Sequence, residues 1–104
     1  MILTTTNDVP GRDIVTCLGL VKGSTVRAKH IGSDIVASLR NVVGGEVKEY
    51  ASLLTGAREQ AIDRMIAEAR DLGADAIVGL RLETSTITQA ASEVMAYGTA
   101  VTLR

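Results

Sequence analysis

His30 is the single histidine of this 104-residue sequence and Cys17 its single cysteine. Any imidazole acid–base step, and any site built on soft or borderline metal ligands, must therefore draw on these two. His30 stands between Lys29 and Ile31 at an expected strand-to-helix junction. Nearby Arg27 and Lys29 disfavour a further positive charge, and a solvated loop histidine is the plain structural reading. Cys17 lies mid-strand among apolar residues, where a free cysteine behaves as a small buried hydrophobe. There is no C-x-x-C, no H-E-x-x-H and no acidic loop of EF-hand spacing. One thiolate and one imidazole do not close a tetrahedral site. A symmetric assembly would multiply each ligand about its axis, so Cys17 and His30 are candidate ligands for a divalent or heavy metal ion only when shared between subunits.

The other chemical patterns are less specific. Gly19-Leu20-Val21-Lys22-Gly23-Ser24-Thr25 lacks the lysine immediately before Ser/Thr that a P-loop requires, and no helix is expected to start there. Gly44-Gly45 follows an expected helix, so it presents carbonyls before amides. No G-x-S-x-G elbow is present. Glu46, Glu49, Glu59 and Asp63 could supply paired acid and base near the start of the second expected helix. Their plain reading is a solvated face, and Arg58 beside Glu59 agrees with it. No catalytic residue is assigned.

The elements that would position these groups follow from periodicity. Met1–Thr6 is short and β-branched, and Pro10-Gly11 marks a turn. Asp13–Lys22 reads as a strand, with Ile14, Leu18 and Leu20 on one face and Val15, Cys17, Gly19 and Val21 on the other. Both faces are apolar enough to be covered. Gly23-Ser24-Thr25 is expected to interrupt the strand as a bulge before Val26 and Ala28 extend it.

A first helix is expected from Ser33 as N-cap, with Asp34 in its first turn, through Ile35, Val36, Leu39, Val42 and Val43 to Gly44-Gly45. A second runs from about Lys48 to Leu72. Its apolar stripe is Tyr50, Leu53, Leu54, Ala57, Ala61, Ile62, Met65, Ile66, Ala69 and Leu72, with a kink or break expected at Gly56 and a stop at Gly73. Asp75–Thr88 and Glu93–Arg104 read as antiparallel strands joined by a turn over Gln89–Ser92. In the last strand Val94, Ala96, Gly98, Ala100 and Thr102 form a flat face of mostly small residues. Another backbone or helix could approach that face closely, including one from a neighbouring subunit. The expected fold class is α+β: one domain over residues 1–104 in the order β-β-α-α-β-β, with a mainly antiparallel sheet packed on helices.

Composition bounds the function. Apolar residues make up 46% and charged residues 22%, but there are two tyrosines and no Phe or Trp. Such a core gains its burial from many small side chains, and packing against further copies would add area. A net charge of −1 gives no global field for nucleic acid or anionic lipid, and few rings are available for base stacking. The first basic residue is Arg12, and no apolar run approaches the roughly 20 residues that span a bilayer. With a lone cysteine, the expectation is a cytoplasmic protein without nucleic-acid or membrane partners.

Several segments carry a resemblance. Gly32-Ser33-Asp34 precedes Val42-Val43-Gly44-Gly45-Glu46-Val47-Lys48-Glu49-Tyr50. Then come Ala57-Arg58-Glu59-Gln60-Ala61, Leu72-Gly73-Ala74-Asp75-Ala76-Ile77-Val78-Gly79 and Gly98-Thr99-Ala100-Val101. In this order they resemble the YbjQ family, small uncharacterised bacterial and archaeal proteins to which heavy-metal binding is ascribed. The resemblance covers nearly the whole chain. It implies an α+β subunit assembling as a ring-shaped homo-oligomer, commonly described as a pentamer, and no established reaction. It places Gly44-Gly45 at the turn between the helices, Tyr50 packed there, and Gly73-Ala74-Asp75 at the passage from helix to sheet. The leading expectation is a non-catalytic ring that binds a small ligand or metal, or acts as a scaffold. The alternatives are an enzyme with an interfacial site using His30, Asp34, Arg40 or Glu46, and an adaptor for a protein partner.

Overall fold

A computed structural model describes residues 1–28, 48–88 and 91–104, apart from the side chains of 28 and 48–51. The elements are β1 (Ile2–Leu3), β2 (Ile14–Ala28), α1 (Lys48–Asp71), β3 (Ala76–Thr88) and β4 (Ala91–Leu103). The expected helix over 33–43, with Ser33 and Gly44-Gly45, lies outside the described residues. So does the packing of Tyr50.

The strands form one mixed sheet in the order β1-β3-β4-β2. β4 runs antiparallel to both β3 and β2, whereas β1 pairs with β3 in parallel. β1 continues past its two residues through irregular bonds: Thr4 N–H donates to the Ile77 carbonyl at 3.0 Å, and the Gly79 and Leu80 amides donate to the Thr6 and Thr4 carbonyls at 2.8 and 3.0 Å. The expected turn at Pro10-Gly11 is present. Arg12 N–H donates to the Val9 carbonyl at 3.0 Å, and Gly11 at φ 80° occupies the position where a type II turn needs φ > 0. This turn delivers Val9 onto Ala76, Val78 and Val101, a small core on one face of the sheet.

The main core lies on the other face. There α1 packs Ala57, Ala61, Met65 and Ala69 against Val21, Ile77, Val94, Ala96 and Ala100. The small-residue face of β4 is thus occupied by the chain's own helix, not held open for a neighbouring subunit. Gly23 sets the closeness of that packing. A Cβ built there would collide with the backbone of Ala61 and Met65 and lie 2.8 Å from the Arg64 Cβ.

α1 is continuous through Gly56, where a kink or break was expected. It ends as expected, with Gly73 at φ 79°. Gly73 N–H donates to the Arg70 carbonyl at 2.9 Å and Ala74 N–H to the Ala69 carbonyl at 3.1 Å, the two bonds of a Schellman cap. Ala74 packs against the core, and Asp75 then binds the Leu103 amide at 2.8 Å. The last residue of the expected stripe, Leu72, falls within this cap, one residue past the end of α1, and is exposed.

β2 departs most from expectation. It is not interrupted at Gly23-Ser24-Thr25, where its pairing with β4 is regular. Its register shifts fall between Ile14 and Thr16 and between Cys17 and Gly19. The second shift, with Gly19 at φ 108°, moves Leu18 to the helix side with Val21. The faces therefore do not divide as simple alternation predicts. Nor are both faces covered: Leu20 is 65% exposed, Val26 56% and Val15 52%. Cys17, expected to be buried, is exposed, because it faces away from α1 beyond the reach of Val9.

Candidate functional site

The expected chemical residues do not converge among the described residues. His30, Asp34, Arg40 and Glu46 lie outside them. Glu49 begins α1, and Glu59 and Asp63 are exposed one turn apart on that helix, as a solvated face. Cys17 is exposed on β2. No group of three or more His, Cys, Asp or Glu side chains is close enough to hold a metal ion among the described residues. The described residues of one chain thus do not form a metal site, and Cys17 could serve only with ligands from elsewhere.

A polar seam that sequence reading missed lies under the N-terminal half of α1. Thr25 and Arg27 follow Val21 and Gly23 on the helix side of β2, and Arg27 is in register with buried Ser92 on β4. Arg27 Nη2–H donates to Gln60 Oε1 at 3.0 Å. The arm passes beside Gly56, where a Cβ would make an ordinary contact with Arg27 Nη2 at 3.9 Å. Arg27 Nε and Thr25 Oγ1 are buried without a partner, a costly arrangement in a packed interior. The seam's signal in the sequence was the alternation that places an arginine on the same face as Val21.

What the fold leaves available is the outer half of the sheet. Away from α1, the registers align Leu20–Thr99–Val78, Lys22–Tyr97–Arg81, Ser24–Met95–Glu83 and Val26–Glu93–Ser85 in rows across three strands. Arg81 is held by its own chain, donating from Nη1 to the carbonyls of Thr5 at 2.9 Å and Leu80 at 2.8 Å. Every residue from Arg81 to Thr88 is exposed, including Leu82 and Ile87.

Among the described residues two edges are also open. The Ser24 carbonyl accepts from Arg64 Nη1–H at 2.6 Å, so Ser24 turns its backbone groups away from β4. Alternation in an antiparallel ladder then turns Leu20, Lys22 and Val26 outward as well. Met95, opposite Ser24, must bond to Glu83 on β3, which turns Leu82, Thr84 and Thr86 outward on the far edge. No described residue pairs with the backbone of Leu82, Thr84 or Thr86. The stretch Thr84-Ser85-Thr86-Ile87-Thr88 carries none of the lysines or prolines that guard a solvent-facing edge.

Comparison with known proteins agrees on family and fold. The family model YbjQ_1, whose description reads "Putative heavy-metal-binding", matches residues 1–104. A UPF0145 protein of Dehalococcoides mccartyi is 61% identical over 101 residues, covering 97% of each chain. UPF0145 proteins of Halobacterium salinarum and Archaeoglobus fulgidus are each 55% identical, over 99% of both chains and over 100% and 96% respectively. A crystal structure of a protein of unknown function from Pediococcus pentosaceus, assigned to the DUF74 family, superposes with a TM-score of 0.63. It does so at 19% identity over 100% of this chain and 98% of that one, a likeness of fold.

Proposed function

The chain belongs to the YbjQ family, and on that premise we propose that it works without catalysis, as a homo-oligomeric ring whose ligand or scaffold surface is formed between copies. The observation that carries this reading is the uncovered outer half of the sheet, with two open edges and Leu20, Val26, Leu82 and Ile87 exposed. The dimensions support it. The radius of gyration is 17.2 Å, against about 13 Å for a compact chain of this length. The accessible surface is 6708 Å², against about 5,600 Å² for a monomer of this mass. The excess, on the order of 1,000 Å², is comparable to one partner's share of a standard interface, about 800 Å². A five-membered ring accords with the family resemblance. Light scattering on the purified protein at micromolar concentration should return about five times the 10.9 kDa chain mass. A monomer there would overturn the reading.

A metal ion enters this proposal only at a site shared between copies, with Cys17 and His30 as the ligands each chain brings. No described helix is long and apolar enough to cross a membrane, which accords with a proposed cytoplasmic location. Calorimetric titration of Zn²⁺ or Cu²⁺ should give a saturable heat that is lost in Cys17→Ala or His30→Ala. No heat, or the same heat in both variants, removes the metal from the proposal and leaves a small ligand or a scaffold role.

A further inference from the structure

We infer that the copies join by one repeated contact, in which the outer edge of β3 from Leu82 to Thr86 adds in parallel to the outer edge of β2 on a second copy. This rests on the oligomeric reading above and specifies the surface that makes the oligomer.

Three observations select this pairing. First, β2 and β3 both run antiparallel to β4, so they point the same way. A rotation that continues the sheet from one copy into the next therefore brings β3 beside β2 in parallel. Second, this single contact occupies both open edges of every copy that has a neighbour on each side, and a head-to-tail contact of this kind gives a ring when its rotation closes. A two-fold pairing of β2 with β2, or of β3 with β3, would leave the other edge bare. The Thr84–Ile87 stretch, mostly β-branched and without guarding residues, is a poor edge to leave bare.

Third, the side chains match. Leu82 projects on the α1 side and is 42% exposed. On the second copy it would lie beside Val21 and Gly23, under the rim of a helix seated mainly on β2. On the opposite face, Glu83 lies on the β3 edge and Lys22 on the β2 edge, giving opposite charges on the same side of the joined sheet. In the register that sets Glu83 beside Lys22, Leu20 would meet the aliphatic part of Arg81, and Ser24 would lie beside Ser85. Arg64, which now takes the Ser24 carbonyl, must yield that acceptor or remain above the seam.

The test uses both edges separately. Thr84 and Lys22 turn their amides away from β4, so Thr84→Pro and Lys22→Pro each remove an outward donor and leave the chain's own ladder intact. Each variant alone should scatter light as a monomer while keeping the wild-type circular dichroism. Their equimolar mixture should form a one-to-one dimer, because the intact β3 edge of one fits the intact β2 edge of the other. Wild-type assembly by either folded variant overturns the contact, as does a mixture that stays monomeric.

A second measurement is independent of whether the proline variants fold. In the assembled wild-type protein the amides of Leu82, Thr84 and Thr86, which lack partners among the described residues, should exchange with deuterium at least about a hundredfold more slowly than free amides. Free-chain exchange in an assembled protein overturns this contact and leaves the oligomeric reading standing. A monomeric wild-type chain overturns both.

Discussion

Gly23→Ala should destabilise the protein by on the order of 2–3 kcal/mol, a large share of the roughly 5–15 kcal/mol available to a domain of this size. The cause is steric. The added methyl would enter the backbone of α1 at Ala61 and Met65 and stand 2.8 Å from the Arg64 Cβ. A flexible side-chain end could swing aside, but a helix backbone moves only as a unit, and moving it opens the contacts of Ala57, Ala61, Met65 and Ala69 with the sheet. The smaller conformational freedom of alanine in the unfolded chain returns only about 0.4–1 kcal/mol. At Gly98, where the nearest obstacle is the Ile77 Cγ2 at 2.6 Å, a side-chain rotation absorbs part of the same insult, so Gly98→Ala should cost less. Urea denaturation followed by circular dichroism should show a lower midpoint for Gly23→Ala, and Gly23→Val should fail to reach the native spectrum. A change under about 0.5 kcal/mol in Gly23→Ala would mean that α1 does not sit this close to β2.

Gly23 also shows how the sequence was misread. A glycine in a strand marks either a bulge or a close approach, and periodicity within the strand does not distinguish them. The choice depends on α1, nearly forty residues further on. The actual irregularity falls at Leu18-Gly19, where φ is 108°, and the local pattern of apolar residues continues across it without a visible break. By contrast, α1 was legible almost to the residue: its stripe holds the helical period for six turns, and Gly73 supplies the αL position that a Schellman cap requires. Gly56 broke nothing: a propensity loss of about 1 kcal/mol is small beside the packing of Ala57, Ala61, Met65 and Ala69 that follows it.

The candidate site was legible only in outline. Lack of a catalytic pattern and scarcity of aromatics pointed to surfaces shared between copies, the expectation that the light-scattering and proline-variant experiments test. The flat face of Ala96, Gly98 and Ala100 was given to a possible neighbour because alternation reveals which residues share a face, not which element covers it. Small residues suit the chain's own helix as well as a partner's. Arg27 and Gln60 were missed for a related reason: they meet only after β2 and α1 dock, and their separation in sequence carries no signal. The open edges became visible only with the ladder, since outward amides are fixed by register and not by residue type.

Met65→Ala should lower stability by about 3 kcal/mol. Met65 is fully buried and is among the largest such side chains, with Ile77, Val21, Val94 and Val101. Its neighbours on the helix are Ala57, Ala61 and Ala69, and on β4 Ala96 and Ala100. Alanines have no rotamers with which to refill a cavity, so the space left by the thioether stays open and the lost contacts are not recovered. No phenylalanine or tryptophan exists elsewhere in the chain to offset the loss. For a domain of about 100 residues each kcal/mol moves the melting temperature by about 4–8 °C, so a fall of roughly 12–24 °C is expected by calorimetry. Met65→Leu, which preserves volume, should cost less than about 1.5 kcal/mol. The comparison has to be made at one protein concentration, because a chain stabilised by assembly melts higher as concentration rises. If the outer sheet is covered by further copies as proposed, wild type and Met65→Ala will both show that dependence, since the Met65 side chain points from α1 into the chain's own core and the substitution leaves the backbone groups of both edges in place. A melting temperature of Met65→Ala within about 3 °C of wild type would show that this methionine is not the centre of the core.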